Sequence, residues 1–116
     1  MTTSLELSRE LEAAGVEQKS EYWWCEKMNS YKWTAVFELK HSCPVVYEPN
    51  RHISAYTLEE LIALCGDGFE SLTKCEGEQG WYFWASASGE RNREFEGTTP
   101  CEAVGKLLLR LQSGTL

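Results

Sequence analysis

Apolar residues recur with helical period at three places in the chain, and runs of strand period lie between them. Leu7, Leu11 and Ala14 share one face of a segment that starts at Thr3 or Ser4. Thr3 and Glu6 there have capping-box spacing, and Gly15 supplies the stop. Leu58, Leu61, Ile62 and Cys65 follow at offsets of three, four and seven behind a second box, Thr57 with Glu60, and end before Gly66. The third helix carries the strongest local signal: Thr99 as N-cap, Pro100 at the first helical position, and Glu102 to complete the box. Val104, Leu107, Leu108 and Leu111 form its buried stripe, and Lys106 and Arg110 sit where a helix C-terminus favours positive charge.

Between these helices the period changes to two. From Trp33 to Lys40, Trp33, Ala35, Phe37 and Leu39 alternate with Thr34, Val36, Glu38 and Lys40, which predicts a half-buried strand. Its partner is the run Tyr22 to Cys25, joined through a turn near Asn29 and Ser30. Val45 to Tyr47, bracketed by Pro44 and Pro49, reads as a short edge strand inside a long loop from His41 to Ala55. Phe69 to Cys75 and Trp81 to Ala87 flank Glu76, Gly77, Glu78, Gln79 and Gly80, the turn chemistry of a hairpin, and Arg93 to Glu96 returns beside them. The order α-β-β-(β)-α-β-β-(β)-α predicts an α+β fold, an antiparallel sheet of two hairpins or meanders packed by three helices. At 116 residues this is one domain, 1–116.

A hydrophobic fraction of 42% and a charged fraction of 25% are those of a chain that folds. No run approaches the roughly 20 apolar residues of a membrane span, and the start lacks the basic and apolar regions of a signal peptide. The expectation is therefore a protein without membrane contact that stays in the compartment of its synthesis. A net charge of −7, from 11 basic and 18 acidic residues, disfavours direct nucleic-acid binding. The cysteines Cys25, Cys43, Cys65, Cys75 and Cys101 are odd in number and irregularly spaced, which predicts reduced thiols.

Three segments carry a resemblance. They run from Leu11 through Gly15, Val16, Gln18 and Ser20 to Trp23; from Ile53 through Tyr56 and Thr57 to Leu61; and from Gly97 through Thr99, Pro100 and Ala103 to Leu111. Together they resemble a family of small uncharacterised bacteriophage- and prophage-encoded proteins. The resemblance implies a phage or prophage accessory protein acting in a bacterial cytoplasm. From Thr57 onward the element order is also similar to that of double-stranded-RNA-binding domains and partly to HicB-type antitoxins. The last helix, however, opens Thr99, Pro100, Cys101, Glu102, Ala103, without the basic residues that contact phosphate in such domains.

No residue pattern in the chain points to a catalytic residue, cofactor or metal. His41 with Cys43, and His52 or Cys25 farther off, lack the second close ligand pair of a zinc site. No base is placed beside a cysteine nucleophile by spacing alone. Glu10, Glu12, Glu59 and Glu60 fall on helix faces expected to meet water, and the glycine-rich stretches lack the strand, helix and Lys-Ser or Lys-Thr pair of a phosphate loop. What stands out is aromatic density at Trp23, Trp24 and Trp33, then Trp81, Tyr82, Phe83 and Trp84. Neighbours along a strand point to opposite faces, so both faces must be covered or one aromatic set serves an interface. Ala85 and Ala87 continue the parity of Trp81 and Phe83, which assigns that side to the core. Tyr82 and Trp84, with Trp24, are then the expected interaction surface for a host protein or for self-association. The function expected is a non-enzymatic accessory protein that binds a host macromolecule, inhibition of a defence or regulatory complex being one such action. The alternative is a nucleotide-like small-ligand binder that uses aromatic stacking and a helix start.

Overall fold

The computed structural model describes residues 1–29, 34–42, 47–48, 51–87 and 94–113. Among the described residues the chain forms an α+β fold of three α-helices and two three-stranded antiparallel sheets. Its elements are α1 (Leu5–Ala13), β1 (Tyr22–Asn29), β2 (Thr34–His41), β3 (His52–Ala55), α2 (Leu58–Cys65), β4 (Phe69–Gly77), β5 (Gly80–Ala87), β6 (Glu94–Gly97) and α3 (Pro100–Ser113). The first sheet has the order β2-β1-β3, and the second is the meander β4-β5-β6.

All three helices begin where side-chain oxygens meet the free amides, but two of the caps differ from the expected boxes. Thr57 and Glu60 form the complete box. On α1 the cap is Ser4, whose hydroxyl accepts from Leu7 N at 3.2 Å. Thr3, expected to pair with Glu6, is instead buried; its hydroxyl bonds Ser8 Oγ at 2.7 Å and accepts from Tyr56 N at 3.1 Å. On α3, Thr99 Oγ1 accepts from Glu102 N, while the Glu102 carboxylate leaves its own cap and accepts from Ser4 N. A side chain with two reachable orphan amides is claimed by whichever one tertiary packing presents.

The expected edge strand at Val45 to Tyr47 falls largely outside the described residues. Val45 and Val46 lie outside the described residues, Tyr47 belongs to no strand, and β1 takes its second partner from His52–Ala55. Ile53, Ser54 and Ala55 are all buried, so this strand shows no alternation and reads as loop in the sequence. Thr3 N donates to Tyr56 O at the end of β3, and Thr2 bridges Thr57, which places α1 beside that edge. The hairpin β4–β5 is longer than expected: both strands run into the glycine-rich stretch, leaving Glu78 and Gln79 as the turn, with Gly80 at φ +110°.

The main core lies between the helices and one face of β4-β5-β6. Leu7, Leu11, Leu61, Val104, Leu107 and Leu108 meet Ala85 and Ala87 there. Two glycines permit the close approach: a Cβ at Gly97 would stand 2.5 Å from Ala103 N, and one at Gly105 would stand 2.5 Å from Leu7 Cδ2. Of the stripe residues, Ala14, Leu58, Ile62 and Leu111 are only half-buried. Leu39, on the supposed inward parity of β2, is 43% exposed, because β2 ends its sheet and α1 packs over β3. No helix among the described residues is long and apolar enough to cross a membrane.

Candidate functional site

The two faces of β5 differ in cover. Phe83, Ala85 and Ala87 point toward the helices together with Leu72, Phe69 and Phe95. Tyr82, Trp84 and Ser86 point the other way, opposite Cys75, Thr73 and Ser71 on β4, and Trp84 and Ser86 lie opposite Glu96 and Glu94 on β6. Tyr82 and Trp84 are half-buried against each other, with ring centroids 5.8 Å apart. Partial burial, with Cys75 and Glu96 nearby, raises the Tyr82 pKa, so its hydroxyl remains a neutral hydrogen-bonding group at physiological pH. Glu94 and Glu96 place their carboxylates on this face. Lys74 lies on the other parity, with its ammonium 4.3 Å over the Trp81 ring.

Trp81 itself requires a correction. It shares the parity of Phe83 but stands at the hairpin tip, 54% exposed, so it is not the core aromatic the alternation predicts. Parity fixes the side of a sheet, whereas cover depends on how far along the strand the helices extend.

An open groove of about 490 Å³ borders the aromatic face where β6 turns into α3, lined by Ser4, Tyr82, Glu96, Thr98, Glu102 and Lys106. Two of its charged groups already have partners in the fold. Glu102 accepts from Ser4 N, and the Lys106 ammonium donates to Glu96 O at 2.8 Å.

Trp24 is on the other sheet and does not join Tyr82 and Trp84. It is half-buried and donates from Nε1 to Thr3 O at 3.2 Å, tying β1 to the start of α1. Its neighbour Trp23 points to the opposite face and is still only 2% exposed. Tyr47, from the loop before β3, meets its ring edge-on at 5.7 Å, and Trp23 Nε1 donates to Ser20 O. Both faces of the first sheet are thus covered around these two tryptophans, one by α1 and one by loop. Trp33, the third aromatic of this group, lies outside the described residues.

The residues considered for metal or thiol chemistry are dispersed. His41 Nε2 is 2.8 Å from Glu21 Oε1, and His52 Nδ1 accepts from Glu48 N. Cys43 lies outside the described residues. Cys25 and His52 are direct cross-strand partners, a proximity that spacing could not reveal, but the Cys25 thiol donates to Trp23 O. Burial raises the Cys25 pKa, the opposite of what activates a thiolate. Glu12 departs from expectation, since one carboxylate oxygen is enclosed without a hydrogen-bond partner and burial raises its pKa. Glu60 is not idle either; it accepts from Thr57 N and from Glu21 N, joining α2 to the start of β1.

Cys25, Cys65 and Cys101 are buried free thiols. Burial pushes Cys65 from 9.0 to about 11, and raises Cys101 and the Tyr56 phenol. In each case the folded-state pKa lies above the unfolded one, so from about pH 9 upward the unfolded chain ionises first and is favoured. Stability should fall as pH rises from about 9 to 11, and Cys65→Ala should reduce that fall. Urea midpoints across this range measure it; an undiminished fall in the variant would exclude Cys65 as a contributor.

No family model, no curated protein and no solved structure matches the chain.

Proposed function

We propose that this chain is a non-enzymatic binding protein that docks on a basic surface of a protein partner through the open face of β4-β5-β6. The observation that supports this reading is the pairing, on one uncovered face, of the Tyr82–Trp84 rings with Glu94 and Glu96. Aromatic rings supply contact area at small entropic cost, and a ring beside carboxylates suits an arginine or lysine, which stacks on one and pairs with the other. The net charge of −7 acts in the same sense at longer range. The resemblance of the three segments to phage and prophage proteins supplies the setting: an accessory protein that engages a host complex in the bacterial cytoplasm.

The small-ligand alternative is weaker. Its natural place is the groove at the start of α3, where Glu96 and Glu102 would repel the phosphate that a helix N-terminus attracts.

Affinity capture from bacteria tests the proposal with wild type and Trp84→Ala in parallel. The variant should lose a specific partner while its unfolding free energy changes by less than about 1 kcal/mol, as for a partly exposed position. The partner's release should also respond to salt, as expected of exposed charge pairing. Equal capture by both forms would refute the assignment of this face.

A further inference from the structure

We propose that two copies of the chain join through the free edges of β2, antiparallel about Leu39, into one continuous six-stranded sheet. This goes beyond the proposed partner face and uses a different sheet.

Among the described residues the first sheet ends at β2, since its order is β2-β1-β3. Two ladder bonds establish which backbone groups face outward. Ser42 N donates to Glu21 O, and Glu26 N donates to Arg51 O on the other side of β1. In an antiparallel pair the backbone groups of successive residues alternate in direction. Trp23 and Cys25 therefore address β2, meeting Lys40 and Glu38. Phe37, Leu39 and His41 then direct their N–H and C=O groups off the sheet. An eight-residue strand in continuous register with β1 presents these groups as a template for another strand.

Charged residues on an edge usually guard against such pairing. Here their arrangement selects one register. A two-fold axis normal to the sheet keeps each side chain on its own face, so a symmetric register centres on a single residue. Centred on Glu38 it opposes two carboxylates, and centred on Lys40 two ammonium groups. Centred on Phe37 it leaves Glu38 opposite Val36. Only the register centred on Leu39 places Glu38 of each copy opposite Lys40 of the other. Glu38 and Lys40 already lie 3.2 Å apart on one face of β2, so the dimer would hold four charges of alternating sign.

The same register serves the backbone and the apolar side chains. Leu39 opposite Leu39, and Phe37 opposite His41, become the hydrogen-bonded pairs, because those residues carry the outward-facing groups. Leu39 is 43% and Val36 48% exposed in the single chain, and pairing would shield Leu39 beside Trp24, its partner on β1. The outward groups, the apolar pair and the complementary charges thus share one axis.

Sedimentation equilibrium of the full chain, from about 1 to 100 µM, should show the mass rising from 13.2 kDa toward twice that value. Lys40→Glu and Glu38→Lys each set like charges face to face, and each should raise the dissociation constant at least about tenfold. An equimolar mixture of the two variants restores opposite charges at both positions and should form a mixed dimer. Recovery in the mixture also shows that neither variant failed merely by misfolding. A wild-type chain that remains monomeric, charge variants that dimerise like wild type, or a mixture that stays monomeric would each overturn the proposal. So would dissociation by Trp84→Ala with the charge variants unaffected, which would move self-association to the other sheet.

Discussion

Replacing Trp23 by alanine should destabilise the fold by about 3 to 5 kcal/mol, while Trp81→Ala should cost less than about 1 kcal/mol. Trp23 is 2% exposed, held edge-on by Tyr47, and donates to Ser20 O, so its removal empties a site bounded by sheet on one side and loop on the other. Trp81 is 54% exposed at a hairpin tip and interacts chiefly with the Lys74 ammonium, an exposed cation–π contact that contributes about 0.5 to 1 kcal/mol. Urea denaturation of both variants measures the contrast. If Trp81→Ala proves the more damaging, the helices cover the hairpin farther than described and the two-faced account of β5 fails.

The second large effect is expected at the centre of the main core. Leu108→Ala should lower stability by about 2 to 5 kcal/mol, the usual cost of a buried leucine site that relaxes only in part. Leu108 is fully buried on α3, which packs against α1, α2, β5 and β6 at once, so few neighbours can move inward without losing other contacts. Leu64→Ala provides the internal comparison. It lies off the apolar stripe of α2 and is 39% exposed, and its loss should cost about 0.5 kcal/mol or less. Similar midpoints for the two variants would show that the helix faces are misplaced.

These contrasts bear on what could be read at each position. The choice of β5 face needed only Ala85 and Ala87 against Ser86, because a strand's period of two is a property of the backbone and holds before any tertiary contact forms. The exposure of Trp81 needed the length of the helical cover, which no residue near Trp81 encodes. Trp24 was grouped with Tyr82 and Trp84 on composition, yet it lies on a different sheet, since aromatic content says nothing of which sheet a strand joins. β2 was legible as an alternating strand, but its place at the end of the sheet depends on where β3 pairs.

The sequence by itself determined the local elements: three helix starts with Thr or Ser at hand, the stops at Gly15 and Gly66, two hairpins, and hence the α+β class. Each rests on interactions within a few residues, where capping, positive φ and side-chain period operate. Tertiary structure alone decided that the strands divide into two sheets and that His52–Ala55 is the third strand of the first. It also sent the Glu102 carboxylate across to Ser4. A strand buried on both faces loses its alternation, and a polar side chain with several possible partners takes the one that packing delivers. Such choices are made by segments far apart in the chain, so they first become legible when those segments meet.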